Sequence, residues 1–532
     1  MKLTKYASRT GILVAPLAAL AIAAPAMANA IPSQNACVSA NGRTITRGTA
    51  SCTTDPGRNV AYARGANSSA TATGGTGNTA IAAGDNSSAT ASNGNRNRAF
   101  VFGKNSSGTA GTGNKNYVFS RGDDNSLTAQ NGTGNGAVAS GNNNQAIVGD
   151  GDNNKALVLG NDNDADAYNY RDAGQFQGNN NTVVTIGDGN DADAAFGDNN
   201  TAVLIGTDNE ADALDGDNNR VLAVGTDNDV TTGDGDNNTG TAIGTDNTVY
   251  AHEGSNNTGT AIGTDNYVDT EGESSTATAI GTDNELDTDD GYNNTATAIG
   301  TGNEVDAEGG DNNTGVAIGT DNDVTVGDGG DNNTGVAIGT DNTVYAHEGS
   351  DNTGTAIGTD NYVDVEGDNS TGTAIGTDNE VGTDDGYNNT ATAIGTDNYA
   401  EALDGDNNTA TAIGTDNEVY ATDGDNNTAT AIGNGSYAEA SYGDNNTATV
   451  VGNGSDAGAF GDDQSPGSNN TATTIGNDST AYAFEGNSNT ATTVGNGSDS
   501  SAYIGDNNTA SATGNNCSAS ASGGGAVDKV TC

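Results

Sequence analysis

The sequence predicts an all-β protein that folds as a parallel β-solenoid of about two dozen 19-residue coils. A glycine that follows an apolar residue recurs from Gly65 to Gly514, and 18 of the 23 intervals in this series are 19 residues long. Each unit holds two stretches of period-2 alternation, and each stretch opens with glycine and asparagine turn residues. Because no segment has helical spacing, two strands and two turns per unit predict a solenoid over residues 61–516.

Composition alone would predict disorder rather than a fold. The 532 residues include 80 Gly and only 5 Pro, and 16 basic against 71 acidic side chains give a net charge of -55. Such a chain has little apolar surface to offset its conformational entropy. A repeat architecture buries a little surface per unit over many units, so the period outweighs the composition. The negative charge argues against nucleic acid as a partner.

Residues 1–30 have the pattern of a signal peptide. Lys2, Lys5 and Arg9 precede an apolar run from Gly11 to Ala24, and small residues follow at a cleavage site near residue 30. A run of this length is too short to span a bilayer, and no later stretch is sufficiently apolar. The sequence therefore predicts a secreted protein, extracellular or at the cell surface, with no transmembrane segment after signal removal.

The cysteines lie at the two ends of the predicted repeat domain. Cys37 and Cys52 fall in residues 31–60, and Cys517 and Cys532 fall in residues 517–532. Four cysteines allow three pairings, of which pairing within each end is the simplest, because a long stack of coils would hold its ends apart. Neither pair has the histidine or CxxC spacing of a metal site. Disulfide-bonded caps are expected at both ends.

The isoleucine before each repeated glycine is used to assign which residues of its strand point inward and which point outward. We call this assignment the parity of the strand. Ile432 is expected to point inward because it is the largest apolar residue of its strand. Alternation then predicts Asn426, Thr428 and Thr430 inside and Asn427, Ala429 and Ala431 outside. In the other strand, Val419 is predicted inside, with Val249, Val268, Leu286, Val305 and Val344 as its equivalents. Glu418, Tyr420 and Thr422 are predicted outside. An aspartate at Ile394 is expected to disrupt the core.

Stacking places each residue above its equivalent, so identical residues form ladders. A row of asparagines at the turn entrance can satisfy its amide groups along the stack. This row is Asn209, Asn228, Asn247, Asn266, Asn284, Asn303, Asn322, Asn342, Asn361, Asn379, Asn398 and Asn417.

An aspartate ladder precedes the asparagines, and Gly302 interrupts it once. Stacked carboxylates repel one another, and Ca²⁺ prefers oxygen ligands of this kind. No cofactor is required for the fold, but this row is a candidate Ca²⁺ site, and a solubilising coat is the alternative. The row is Asp208, Asp227, Asp246, Asp265, Asp283, Asp321, Asp341, Asp360, Asp378, Asp397 and Asp416.

No catalytic constellation emerges from the sequence. The two histidines, His252 and His347, belong to a duplicated block, because residues 244–301 recur nearly unchanged at 339–396. No Lys or Arg lies between Arg220 and Lys529, which leaves little with which to hold an acidic substrate. We expect solvated histidines and a non-enzymatic protein.

The outward faces suggest partners. The predicted alanine stripe of Ala429 and Ala431 would suit a homo-oligomer, and Tyr250, Tyr345 and Tyr420 among carboxylates would suit a cell-surface protein or carbohydrate.

The segment Asn-Thr-Ala-Thr-Ala-Ile-Gly-Thr-Asp-Asn at 408–417 resembles the Ala-Ile-Gly repeat of trimeric autotransporter adhesin heads. The resemblance implies β-rolls that pack three chains together, although the coiled-coil stalk and membrane barrel of that family are not seen. The Asn and Gly spacing also resembles antifreeze solenoids, which bind ice through a flat, regular face. The sequence thus predicts an adhesin-like structural surface protein, with ice binding as the alternative. Ice binding favours an outward threonine array, which the inward assignment of isoleucine disfavours.

Overall fold

The structure is a computed structural model that describes most of residues 34–532. The exceptions are residues 168–177, 195–196, 214–216, 234–236, 255, 328, 385–386, 405, 424–425, 442–444, 461–468, 477, 485–487, 504–506, 528 and 530. The predicted signal peptide and the two insertions into the repeat, near residues 168–176 and 461–467, lie outside the described residues.

The predicted fold class is confirmed. The described residues contain strands and turns but no helix, and parallel strands stacked about 19 residues apart form a β-solenoid of about 18 turns. The strands are Thr90–Ala91 (β1), Thr109–Ala110 (β2), Asp229–Thr232 (β3), Gly240–Gly254 (β4), Thr258–Gly272 (β5), Thr276–Asp289 (β6), Thr295–Glu308 (β7), Thr314–Gly327 (β8), Thr334–His347 (β9), Thr353–Glu366 (β10), Thr371–Asp384 (β11), Thr390–Ala393 (β12), Tyr399–Ala402 (β13), Glu418–Thr422 (β14), Ala438–Ser441 (β15) and Gly458–Phe460 (β16).

The chain divides into two compact units, Met1–Asn218 and Asn219–Cys532, which we call the N-terminal and C-terminal units. In the N-terminal unit, β1 and β2 pair in parallel, and single backbone hydrogen bonds link other coils, such as the 3.1 Å bond from Gly77 N to Gly57 O. In the C-terminal unit, β3–β16 belong to one parallel sheet.

Equivalent residues of consecutive coils pair directly in the C-terminal unit. Between β5 and β6, Ile262 pairs with Ile280, and Asn266 pairs with Asn284. Each of the long strands β4–β11 runs along one side of the coil, passes a corner and continues along the other side. The corner is Gly-Thr-Asp in all of these strands except β7, where it is Gly-Thr-Gly. We call the segment before this corner strand two and the segment after it strand one.

The predicted parity of strand one is confirmed except at Thr422, which was predicted outside but is buried where β14 ends. Val419 and its predicted equivalents Val249, Val268, Leu286, Val305 and Val344 are all buried. Glu418 is exposed, and Tyr420 is half-buried on the outer side.

The predicted parity of strand two is wrong. Ala429 and Ala431 have no exposed surface and Asn427 is buried, whereas Ile432 is 40% exposed. Thr428 and Thr430 are half-buried on the outer side, and Asn426 is exposed. The alanine stripe predicted for a homo-oligomer therefore lies in the core, and threonine and isoleucine form the surface of strand two.

The physical reason is the narrow space between the two strands of a coil. A Cβ atom added to Gly259 would lie 2.5 Å from Val268 Cγ1, and one added to Gly315 would lie 2.8 Å from Val324 Cγ1. Small residues on strand two therefore complement the branched residues on strand one. An isoleucine at the position of Gly259 or Gly315 would overlap the valine opposite it, so available volume overrides hydrophobicity there.

The corner after strand two depends on the glycine that marks the repeat. Gly263 has a φ of 153°, and a Cβ atom there would lie 1.8 Å from Gly244 O of the preceding coil. No side chain fits, which explains why glycine marks the period throughout this unit.

The predicted asparagine ladder is present and buried. Asn284 Nδ2 donates to Asn303 Oδ1 at 2.6 Å, and Asn303 Nδ2 donates to Asn322 Oδ1 at 2.6 Å. A second buried ladder, which the sequence analysis missed, follows the opposite corner: Asn427 Nδ2 donates to Asn408 Oδ1 at 3.1 Å. Amide groups at both corners are thus paired along the stack.

The two cysteine pairs differ. Cys37 and Cys52 form the predicted disulfide. Cys517 and Cys532 are free thiols in this structure, so the predicted bond at this end is not formed here. Desolvation and the neighbouring Cys532 thiol raise the pKa of Cys517.

Among the described residues there is no helix long and apolar enough to cross a membrane.

Candidate binding faces

Strand two of the C-terminal unit carries an ordered outer surface, which we call the Thr–Ile face. Its first column holds threonine in fifteen coils without interruption. The column is Thr239, Thr258, Thr276, Thr295, Thr314, Thr334, Thr353, Thr371, Thr390, Thr409, Thr428, Thr447, Thr471, Thr490 and Thr509.

Two further columns lie beside it. The second is Thr241, Thr260, Thr278, Thr297, Val316, Val336, Thr355, Thr373, Thr392, Thr411, Thr430, Thr449, Thr473, Thr492 and Ser511. The third begins Ile243, Ile262, Ile280, Ile299, Ile318, Ile338, Ile357, Ile375, Ile394, Ile413 and Ile432, and these isoleucines are 36–40% exposed. Exposed apolar residues that occur singly are ordinary, but a contiguous row of them is typical of a binding surface.

The spacing of the Thr–Ile face follows from the sheet. Neighbouring coils lie about 4.8 Å apart, and alternate residues along a strand lie about 6.6 Å apart. In-register pairing, such as Thr278 with Thr297, repeats this spacing from coil to coil. The face is therefore a two-dimensional array of hydroxyl and methyl groups.

Strand one of the C-terminal unit carries a different surface, the Tyr–acid face. Tyr250, Tyr345 and Tyr420 lie outward as predicted. Tyr345 lies 5.7 Å from Tyr362 between ring centroids, and Tyr420 lies 5.7 Å from Tyr399. Burial and the carboxylate of Glu418 raise the pKa of Tyr420.

Carboxylates crowd the Tyr–acid face. Burial and repulsion from Asp289 and Asp269 raise the pKa of Asp287 to about 7. Burial together with repulsion from Glu308 and Glu304 raises the pKa of Asp306 to about 6. Adjacent acids on this face therefore share protons at neutral pH more readily than isolated carboxylates do.

The histidines lie on the same face and are not simply solvated, contrary to the sequence prediction. His252 Nε2 lies 3.2 Å from Asp269 Oδ2, and His252 Nδ1 lies 3.8 Å from Glu271 Oε2. The hydrogen bond to Asp269 raises the pKa of His252. Within the described part of the chain, these three residues are the one group whose ligand atoms, within 4.8 Å of one another, could hold a metal ion.

The predicted aspartate ladder lies at the corner between the two faces. From Asp246 to Asp416, the nine aspartates of this row have φ between 32° and 52°. Asp and Asn tolerate this left-handed backbone better than most residues, so the corner accounts for their presence. Desolvation and repulsion from Asp246 and Asp283 raise the pKa of Asp265. The row carries a backbone role, and Ca²⁺ binding there stays a prediction.

These observations define the class of protein: a parallel β-solenoid whose C-terminal unit presents a Thr–Ile face on one strand and a Tyr–acid face on the other. No family model, curated protein or solved structure matches the chain.

Proposed function

We propose that the protein binds ice through the Thr–Ile face. The observation that carries this proposal is the uninterrupted threonine column over fifteen coils, with threonine in most positions of the next column. The inward assignment of isoleucine disfavoured ice binding only because it placed these threonines inside.

The chemistry of threonine suits a solid water surface. Its hydroxyl group can donate and accept hydrogen bonds, and its methyl group orders adjacent water without competing for it. Val316 and Val336 replace threonine in the second column, so the methyl group is kept where the hydroxyl is lost. The isoleucine column adds apolar surface along the same strand.

Regularity supports the proposal as strongly as composition does. Ice presents the same groups at fixed intervals, so a binding surface must repeat its contacts at fixed intervals. Inter-coil pairing fixes one interval and the extended strand fixes the other. β-branched residues also have few rotamers, so the array is ordered before it binds.

Thermal hysteresis of the purified protein tests the proposal. We expect activity at micromolar concentrations, and we expect the double variant Thr355→Tyr/Thr392→Tyr to lose more than half of it, because the two rings interrupt the flat array. Both residues are outward in the structure, so the melting temperature should change little.

A matched control uses the opposite face. Thr325→Tyr/Thr343→Tyr makes the same chemical change on the Tyr–acid face, where Tyr345 and Tyr362 already occupy the paired positions of the next coils. This variant should keep full activity. Absence of hysteresis in the unchanged protein, or equal loss in both variants, would overturn the proposal.

A second candidate is an exported surface protein that acts as a structural or adhesive element. The Tyr–acid face supports it, because ordered tyrosines among carboxylates suit contact with carbohydrate or protein. The disulfide between Cys37 and Cys52 is consistent with export, since such bonds persist in oxidising compartments. Immobilised protein that binds cell-surface material through Tyr345 and Tyr362, and shows no hysteresis, would favour this candidate.

A further inference from the structure

The N-terminal unit carries a surface unlike either face of the C-terminal unit. In two consecutive coils, the outer side of strand two holds aromatic and basic residues where the C-terminal unit holds threonine and isoleucine. These residues, which we call the aromatic–basic patch, are Arg98, Phe100, Phe102, Tyr117, Phe119 and Arg121.

The four rings pack in a zigzag. Phe100 and Tyr117 have ring centroids 6.2 Å apart with an interplanar angle of 73°, and Phe102 and Phe119 are 6.0 Å apart at 71°. All four side chains are half-buried, so each ring keeps part of its surface open to solvent. Half-exposed rings held in place by one another form a pre-ordered apolar surface.

Basic side chains lie around the rings, and acidic side chains lie at one adjoining corner. Arg98 and Arg121 are exposed at opposite ends of the patch, and Arg96, Lys104 and Lys115 are exposed at the adjoining corners. Lys104 lies between Asp85 and Asp123 of the neighbouring coils. Residues 31–124 hold nine Lys and Arg against four acids, which gives a net charge of 9 − 4 = +5. Residues 221–532 hold 52 acids and one Lys, which gives 1 − 52 = -51. Five of these basic residues thus lie in or beside the patch, in a chain that is otherwise strongly acidic.

We infer that the aromatic–basic patch binds an anionic polysaccharide. Aromatic rings pack against the C–H faces of pyranose sugars, and arginine forms paired hydrogen bonds with carboxylates. The complementary charge commits the patch to an acidic partner. Both kinds of contact lie within one surface two coils wide.

Charge density favours a polysaccharide over nucleic acid. Nucleic acid carries a phosphate every 3.4 Å or so along each strand, so the acidic remainder of the chain would repel it strongly. A uronic acid polymer carries a single charge on each sugar and offers apolar C–H surface between its charges. It can therefore use the rings of the patch while suffering less repulsion.

The test is calorimetric titration of the purified full chain with alginate, a uronic acid polysaccharide, in 150 mM NaCl. Neutral dextran and single-stranded DNA serve as comparison ligands. We expect alginate to bind, dextran not to bind, and single-stranded DNA to bind more weakly than alginate. Alginate binding should weaken as the salt concentration rises.

Two double variants replace residues of the aromatic–basic patch with the residues that the C-terminal unit carries at equivalent positions. These replacements are compatible with the fold because the C-terminal unit already accommodates them. Phe100→Thr/Phe119→Thr installs the residue found at Thr241, and Arg98→Thr/Arg121→Ile installs those found at Thr239 and Ile243. Each double variant should lower alginate affinity at least about tenfold, which corresponds to about 1.4 kcal/mol. Thermal hysteresis should not change, since the Thr–Ile face is untouched.

Arg43→Thr/Arg47→Thr is the charge-matched control. It removes two exposed arginines from the same unit but outside the patch, so its alginate affinity should stay within about twofold of the unchanged protein. Equal loss in this control would show attraction to net charge without a site. The inference would also fail if alginate did not bind, or if single-stranded DNA bound more tightly than alginate.

Discussion

At the scale of the residue, the first inward position of strand two holds a small side chain in nearly every coil of the C-terminal unit, and Val221 is the exception. From Gly240 to Ala510, the first inward position of fifteen coils is Gly or Ala. Branched residues of strand one lie opposite this position. A Cβ atom added to Gly240, for example, would lie 2.6 Å from Val249 Cγ1. The core is therefore thin and packs small residues of strand two against branched residues of strand one. The volume of a side chain decides whether it can face inward on strand two.

The first prediction compares two neighbouring residues. Ala393→Asp should lower the free energy of unfolding by at least about 2 kcal/mol, because the carboxylate enters a core that offers no partner. Ile394→Asp should lower it by less than about 1 kcal/mol, because Ile394 is 36% exposed. Urea denaturation followed by circular dichroism measures both. A larger loss for Ile394→Asp would restore the original inward assignment.

The second prediction concerns the buried asparagine ladder. Asn303→Ala should cost about 1–3 kcal/mol of stability, because Asn284 loses the acceptor and Asn322 loses the donor of their hydrogen bonds to Asn303. Asn426→Ala, in the exposed ladder where Asn426 donates to Asn407 at 3.1 Å, should cost less, since water can replace the amide. Equal losses at the two sites in denaturation experiments would contradict this account.

The residue pattern predicted the period, the inward set of strand one and the first asparagine ladder. It failed on strand two because isoleucine was ranked by hydrophobicity alone. A usable signal was present: the position of Thr430 accepts Leu157 and Leu222 in other coils, whereas the position of Ala429 holds only Gly or Ala in the fifteen coils from Gly240 to Ala510. A position that accepts large side chains lies on the outer side. Because strand two was assigned the opposite parity, the Thr–Ile face was not predicted.

At the scale of the element, the two strands of a coil share a backbone register but differ in surface chemistry. Strand two exposes uncharged methyl and hydroxyl groups, whereas strand one exposes carboxylates and phenols. Repetition amplifies this difference, since each coil adds one more row to each face. The electrostatic cost of stacking like residues falls on the Tyr–acid face and on the aspartate row at the corner, and not on the Thr–Ile face.

The third prediction is a pH dependence that follows from that cost. Folding raises the pKa of Asp306 and Asp384 to about 6 and that of Asp287 to about 7, so the folded chain binds protons more tightly than the unfolded chain, whose aspartates titrate near 3.9. The stability that protonation contributes is fully present below about pH 4 and is lost as the pH rises through 6–7. The melting temperature should therefore be higher at pH 5 than at pH 8.

Differential scanning calorimetry across pH 4–8 measures this effect. Asp287→Asn/Asp306→Asn should flatten the profile by raising the melting temperature at pH 8 more than at pH 5. A melting temperature that falls steadily from pH 8 to pH 5 would indicate that carboxylates stabilise the fold in their charged form.

At the scale of the whole molecule, net charge dominates the response to solution conditions. With 16 basic and 71 acidic residues, the chain repels itself in the folded state at neutral pH. Mobile ions screen such repulsion over a Debye length of about 8 Å at physiological ionic strength. Salt should therefore affect stability more than in a protein of balanced charge.

The fourth prediction separates screening from specific cation binding. The melting temperature should rise with NaCl concentration through screening alone. CaCl₂ should raise it further at matched ionic strength if the aspartate ladder from Asp208 to Asp416 binds Ca²⁺, because a ligand of the folded state stabilises that state by mass action. Equal melting temperatures in the two salts would leave these aspartates as corner residues and a solubilising coat.

The in-register pairing of equivalent coils has a consequence for how such a surface can grow. Residues 244–301 and 339–396 are near copies, and each coil offers its neighbour the same row of partners. An inserted coil can therefore make the same contacts as the existing coils. Duplication of the coding sequence can thus change the length of the C-terminal unit. For a ligand that is itself periodic, every added coil is one more simultaneous attachment point. Avidity could then be tuned by copy number while each individual contact stays weak.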